Sequence, residues 1–315
     1  MIPPFPFFVG RGRSGTTLVR AIFDSNSQMA VPNESWFVAS MALNRDRYEV
    51  AGDFDRDAYM ADLFERRGFL SWGLDLERFR LHMASLDPRS LAEAVRATYG
   101  YYAVSKGKSR FGDKTPVYVM AIVPIARLLP ESKFVHVVRD GRDSALSYKE
   151  VPWGPRTIDE AAFRWRRAVN RARQAARELG SDRYMELKYE DLVSDPSSVV
   201  KTVCGFVEVP FEEGMLNYFE RADQVTAQMR HPQTRAGIYK PISSGMRDWR
   251  TQMSAADIAR FEAIAGAALA EYGYPRRLDR VKLSVLLSAW TQVGRTLVGD
   301  RLRKLLGRSA DPGLG

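Results

Sequence analysis

The sequence predicts an α/β protein: a parallel sheet flanked by helices, with helical insertions and an amphipathic helix near the C-terminal end. Two observations carry that reading. Short apolar, β-branched runs end abruptly in glycine or in charged turns, and long stretches of helical periodicity separate them. Strands joined through helices run parallel, because a tight hairpin can only reverse the chain. With 315 residues, 45% hydrophobic and 27% charged, the chain can bury a sizeable core and lies in the ordinary globular range.

The elements follow in order. Pro6 to Gly10 reads as a short buried strand ended by glycine, and Thr16 to Asp24 carries Leu18 and Ile22 at helical spacing. Residues 55–105 hold several helical stretches broken at Asp87-Pro88, and a helical insertion of about 36–110 is expected to complete a substrate pocket. Lys133 to Val138 (KFVHVV) is the strongest strand signal, followed at once by Arg139-Asp140-Gly141. Thr157 to Leu179 reads as a long helix with Phe163, Trp165 and Val169 among arginines, stopped by Gly180. Tyr184 to Tyr189 is a further strand, after which Ser194-Asp195-Pro196 starts a helix with proline in its first turn. Ser254 to Glu271 is helical and ends at Gly273. The expected organisation is one α/β domain over 1–275 and a basic amphipathic tail over 276–315.

Composition excludes several function classes. The net charge of +9 resides largely in the tail, where residues 276–308 hold nine Lys or Arg against Asp279 and Asp300. The body is nearly neutral, so a nucleic-acid partner is not expected. Cys204 is the only cysteine, which rules out an intrachain disulfide and a thiolate zinc site and fits a reducing, cytoplasmic setting. No run reaches the ~20 apolar residues of a membrane span. Pro3, Pro4 and Pro6 interrupt the apolar N-terminus and no basic stretch precedes it, so it does not read as a signal peptide.

The most informative segment is Phe8-Val9-Gly10-Arg11-Gly12-Arg13-Ser14-Gly15-Thr16-Thr17-Leu18. A strand, a glycine-containing turn and a helix start aim free backbone N–H groups and the positive end of the helix dipole at one point, where a phosphate sits. Gly15 permits close approach, Thr16 and Thr17 supply hydroxyls, and Arg13 adds a charge able to make bidentate contacts. Gly10 and Gly15 have the spacing of a P-loop, but Thr16 stands where a nucleoside-triphosphate enzyme would carry lysine. A second anion cradle follows the KFVHVV strand: Arg139 at the strand end, with Ser144 and Ser147 on the next helix. Two such turns fit one ligand with phosphate groups at both ends.

Arg13 to Leu18 resembles the 5′-phosphosulfate-binding loop of sulfotransferases that use 3′-phosphoadenosine 5′-phosphosulfate (PAPS), and Arg139 with Ser147 resembles their 3′-phosphate motif. The likeness is greatest to the branch containing tyrosylprotein, carbohydrate and bacterial sulfotransferases; the cytosolic branch has Lys at the place of Arg13. It implies a P-loop-like fold, PAPS as donor co-substrate, and in-line transfer of a sulfuryl group to an acceptor hydroxyl without a metal. The implied cofactor-binding residues are Arg13, Ser14, Gly15, Thr16, Thr17, Arg139, Ser147, Tyr189 and Lys240. Tyr189 comes from Lys188-Tyr189-Glu190-Asp191-Leu192. Lys240 comes from Gly237-Ile238-Tyr239-Lys240-Pro241, which with Gly245 to Arg250 resembles the segment covering the nucleotide.

Sulfuryl transfer needs alignment and charge stabilisation, a base for the acceptor and a cation at the leaving oxygen. The resemblance implies Glu34, in Pro32-Asn33-Glu34-Ser35, as base and Lys114, in Phe111-Gly112-Asp113-Lys114-Thr115-Pro116, at the leaving oxygen, with Arg13 sharing the charge. The cytosolic branch uses histidine as base, whereas here His136 lies inside a strand and His82 and His231 have no evident partners. The acceptor stays open between a glycan, a lipid-linked hydroxyl, a peptide tyrosine and a small metabolite. Two other classes remain at this stage: a small-molecule or nucleotide kinase on the same fold, and a non-catalytic nucleotide-binding protein. In the tail, Leu283, Leu286, Trp290, Val293 and Leu297 recur every three or four residues. That pattern fits a terminal helix packed on the domain, or a basic amphipathic helix over 281–306 on the inner face of an anionic membrane.

Overall fold

Five strands build the sheet: β1 (Phe5–Gly10), β2 (Met29–Ala30), β3 (Arg110–Phe111), β4 (Ser132–Val138) and β5 (Tyr184–Lys188). The structure is a computed structural model describing residues 2–151, 154–226, 236–242 and 247–305, with backbone alone for 224, 225, 236 and 300–305. The strand β1 pairs parallel with β4 from Phe5↔Ser132 to Gly10↔Val137, and β4 pairs parallel with β5 from Phe134↔Tyr184 to Val138↔Lys188. On the other side of β1, the Asp113 N–H donates to the Pro6 carbonyl and the Phe8 N–H donates to the Asp113 carbonyl. The β3 strand just before Asp113 pairs in parallel with β2. The spatial order is therefore β2-β3-β1-β4-β5, all parallel.

Burial on both faces explains the continuous apolar strands. All six residues of β1 are buried. Phe7 stacks on Phe134 in one layer, while Phe8 meets Phe23 in the opposite one. The second layer is built by α1 (Thr16–Asp24) and the helix Pro196–Val207. The first is built by the insertion, whose helices Val38–Leu43, Arg56–Phe64, Arg67–Leu70, Leu76–Leu86 and Leu91–Ser105 surround Trp72 and Tyr99. A two-residue hairpin, Glu49–Val50 with Asp53–Phe54, interrupts them.

Beyond β4 the chain forms α2 (Gly141–Tyr148), α3 (Ile158–Leu179), α4 (Ala255–Glu271) and α5 (Leu283–Leu305). Capping explains where these start. Thr157 accepts from the Glu160 N–H, Ser254 from the Asp257 N–H, and Asp195 from the Ser198 N–H with Pro196 in the first helical position. Strand β5 ends one residue earlier than expected. Its partner β4 stops at Val138, opposite Lys188, so Tyr189 has no ladder to join and begins the helix Tyr189–Ser194. The inner face of α5 buries Ala289 and Val293 against α3 and α4, as a packed terminal helix requires. His231, Gly245, Met246 and the tail beyond residue 305 lie outside the described residues.

Candidate active site

Each of the five strands delivers one polar side chain just past its C-terminal end: Glu34 after β2, Lys114 after β3, Arg13 after β1, Arg139 after β4 and Tyr189 after β5. In open parallel sheets this edge is where ligands bind, because the helices that follow turn their N-termini toward it.

The first turn is fixed by what cannot fit there. Gly15 has φ 93°, and a Cβ on it would stand 2.3 Å from Tyr189 Cδ2. A Cβ on Gly12 would stand 2.5 Å from the Tyr148 hydroxyl oxygen. Glycine is thus required at Gly15 by both its backbone and the Tyr189 ring, while at Gly12 a side chain would have to displace the Tyr148 hydroxyl; the turn is roofed by two tyrosines, one following β5 and one on α2. Arg13 itself has φ 70°, an uncommon left-handed geometry for a residue with a side chain. Its Nε donates to Ser147 Oγ at 2.8 Å. Burial lowers its pKa, opposed by Tyr148 and Glu150 and reinforced by the cations Arg247 and Arg139.

At the second turn the Arg139 guanidinium lies 4.5 Å from the centre of the Tyr189 ring. The two anion cradles are therefore joined twice, through Arg13–Ser147 and through Gly15–Tyr189–Arg139. Arg139 Nε and Ser144 Oγ are both buried and have no hydrogen-bond partner among the described residues. Two orphaned donors, one just past β4 and one in the first turn of α2, fit an anion that would accept from them. The turn rests on a buried charge cluster. Arg142, fully buried, donates to Asp140, to Glu262 at 2.8 Å and to the Pro275 carbonyl, and it stacks 3.5 Å over Trp249. Asp143 accepts from the Trp249 N–H. Burial, with Asp140 nearby, raises its carboxyl to about 6.

Beside the first turn, Lys114 Nζ donates to Glu34 Oε1 at 2.7 Å. Lys114 is buried, while the Glu34 side chain is 32% exposed, so the pair opens toward solvent on the carboxylate side. Glu34 is held by its neighbours. Arg20 donates to Asn33 Oδ1 at 2.6 Å, Trp72 donates to the Asn33 carbonyl, and the Ser35 N–H donates to Thr115 Oγ1. Gly68 packs so closely that a Cβ there would stand 2.2 Å from the Ser35 carbonyl oxygen. Beneath Lys114, buried Asp113 accepts from Tyr99 and Thr115, and burial raises its carboxyl to about 6.

Most residues expected from the sequence lie together: Arg13, Ser14 and Gly15 in one turn with Thr16 and Thr17 opening α1, Arg139 just past β4 with Ser147 near the end of α2, and Tyr189, Glu34 and Lys114 around them. Ser147 contacts Arg13 rather than Arg139. Lys240 is exposed, only its carbonyl is engaged, by the Tyr218 hydroxyl, and no side-chain contact joins it to either turn among the described residues. The sequence reading named Ser144 on the helix after Arg139 but gave the phosphate contact to Ser147, and it missed Tyr148 over Gly12. It also missed Trp36, two residues past Glu34, with φ 60° and 38% exposure. No local signal ties Tyr148 to a loop more than 130 residues earlier; for Trp36 the available signal was an aromatic two residues past Glu34. Among the described residues no cluster of His, Cys, Asp and Glu has the arrangement of a metal site, and no helix is long and apolar enough to cross a membrane.

The chain belongs to the sulfotransferase family, whose family model matches residues 4–213, and a sulfotransferase-domain model matches 164–273. It is 24% identical over 282 residues to protein-tyrosine sulfotransferase 1 of Danio rerio, covering 86% of this chain and 72% of that protein. It is 24% identical over 284 residues to the protein-tyrosine sulfotransferase of Drosophila melanogaster, spanning 86% of this chain and 52% of that one. Among solved structures it resembles the sulfotransferase domain of the Synechococcus PCC 7002 olefin synthase, with TM-score 0.58 and 20% identity over 92% of this chain and 95% of the other. The expected α/β fold with a P-loop-like parallel sheet is the fold found.

Proposed function

We propose that the protein transfers a sulfuryl group from PAPS to an acceptor hydroxyl. The observation that carries this reading is the double link between the two anion cradles, which makes one continuous cationic surface for a nucleotide bearing anions at both ends. Membership of the sulfotransferase family supports the choice of donor. Thr16 in place of a P-loop lysine argues against a kinase.

When bound, the donor supplies an activated sulfuryl group. Arg13 and the N–H groups opening α1 neutralise charge on the transferring group. Arg139 and Ser144 hold the 3′-phosphate, with Tyr189 packed against the nucleotide. Glu34 takes the acceptor's proton as its oxygen bonds to sulfur, and Lys114 meets the bridging oxygen as the old sulfur–oxygen bond breaks. The Glu34–Lys114 contact sets these two groups side by side before either is used, which is the alignment such a transfer needs. The acceptor is a hydroxyl entering beside Glu34 and the insertion. The relatives named as protein-tyrosine sulfotransferases make a peptidyl tyrosine the first one to assay.

Calorimetry with 3′,5′-adenosine bisphosphate, AMP and ATP tests the donor site. The bisphosphate should bind at least tenfold more tightly than either rival, and Arg139→Ala should abolish its advantage over AMP. Equal affinity for ATP and the bisphosphate would overturn the reading.

A further inference from the structure

Helix α3 separates two concentrations of positive charge. On one side Trp165 donates to the Arg139 carbonyl, next to the nucleotide cradle. On the other side Arg166, Arg167 and Arg171 line a cleft of about 380 Å³ together with Phe163 of the same helix and Trp290 of α5. The Arg166 guanidinium lies 5.2 Å from the Trp290 ring centre, and among the described residues Arg171 donates only to Gln174. None of these three arginines forms an ion pair among the described residues, although Arg164 pairs with Glu160 and Arg173 with Glu271 on the same helix. Three unneutralised cations around one cleft lower its affinity for anything but an anion.

Trp290, partly buried against Phe163, shares a helical face with an exposed stripe of α5. Leu283, Leu287, Trp290, Gly294 and Leu297 recur at i, i+4, i+7, i+11 and i+14, which puts them on one helical face. Leu283 is 67% exposed, Leu287 60%, Leu297 40% and neighbouring Val298 59%. The helix is already anchored by its other face through Ala289 and Val293, so the exposed leucines do not serve its packing. Exposed Arg280, Lys282 and Arg295 flank the stripe, with Asp279 the acid nearest its start.

We propose that this face docks on an anionic lipid bilayer. Headgroup phosphates enter the arginine cleft, Trp290 sits at the level of the headgroups, and the leucine stripe enters the acyl boundary. The charge favours this occupant over a second copy of the chain, because a two-fold contact through the same face would bring the two arginine clusters together.

The test is co-sedimentation of the full chain with vesicles of phosphatidylcholine alone and of phosphatidylcholine mixed with phosphatidylglycerol. The protein should pellet with the anionic vesicles, and added salt should release it. The triple substitution Arg166→Gln, Arg167→Gln and Arg171→Gln should weaken association by roughly a hundredfold. Leu283→Ser with Leu287→Ser should weaken it at least tenfold. Both variants should retain wild-type binding of 3′,5′-adenosine bisphosphate, which shows that they fold. Equal pelleting with neutral vesicles, or pelleting unchanged in both variants, would overturn the proposal. So would inorganic phosphate binding in the cleft without vesicle association, or a dimer in light scattering that the leucine variant dissolves.

Discussion

Arg13 Nε donates to Ser147 Oγ at 2.8 Å, joining positions 134 residues apart in the chain. One side chain follows β1 and the other lies near the end of α2, so the bond fixes the phosphate loop against the helix that follows β4. The two cradles consequently behave as one unit. Ser147→Ala removes the acceptor and should weaken 3′,5′-adenosine bisphosphate binding about tenfold, the ordinary worth of a hydrogen bond to a charged group. Ser147→Thr keeps the hydroxyl and should restore most of it. Calorimetry on both variants checks the pair, and an unaffected Ser147→Ala would remove the bond from the account.

Glu34 and Lys114 should separate from the binding residues in kinetics. Glu34→Gln and Lys114→Ala should each slow single turnover of PAPS by about two orders of magnitude or more. Affinity for the bisphosphate should change less than threefold in Glu34→Gln, because the proposed role puts Glu34 on the acceptor side. A loss confined to KM would assign the pair to substrate binding instead.

Gly15 and Tyr189 share one volume. Gly15→Ala places a methyl 2.3 Å from Tyr189 Cδ2 at a φ of 93°, so both contact and backbone oppose it. Thermal unfolding should show a loss of about 1–3 kcal/mol. Tyr189→Ala in the same chain should recover the part due to the clash and leave the backbone part. Recovery to wild type would mean that the backbone conformation costs nothing.

His136 gives the fold a pH dependence. Its buried Nδ1 bonds the Tyr184 hydroxyl at 2.8 Å, and burial, reinforced by Arg173, lowers its pKa to about 3. The unfolded chain protonates this ring near its ordinary value of ~6.5 while the folded one does not, so protons favour unfolding between those values. The stability it contributes is present above pH ~6.5 and declines as pH falls, by up to about 1.4 kcal/mol per pH unit. His136→Phe keeps the ring volume and leaves Tyr184 with Glu186. Denaturant melts of both proteins at several pH values should show a gap that closes as pH falls from 7 to 4; a constant gap would contradict the assignment.

How much of this was readable in the residues differs by element. KFVHVV, the glycine turn before Thr16 and the arginine helix announced themselves because each is locally determined by β-branching, glycine or helical spacing. The strands β2 and β3 did not, since two residues carry no periodicity and their pairing is dictated by Asp113 meeting Pro6 and Phe8. Within the candidate site, Arg13, Arg139, Glu34 and Lys114 were expected by motif, and the structure sets each just past the end of a strand. Ser147 was grouped with Arg139 through the resemblance to a 3′-phosphate motif; its bond to Arg13 depends on how close β1 lies to β4, which no motif encodes. Tyr148 over Gly12 and the Arg142–Trp249 stack join distant segments, and no local rule encodes such meetings.

The insertion leaves the sheet after β2 and returns at β3, on the side of β1 away from β4. The ladder that spaces Arg13 from Arg139 therefore runs through neither of its ends. On the proposed reading, helices over residues 36–110 could change to admit a different hydroxyl while the nucleotide grip stays in register, provided Trp72 and Gly68 keep their hold on the segment around Glu34. Partner choice can drift in such an architecture as an exchangeable cassette, with the donor kept constant.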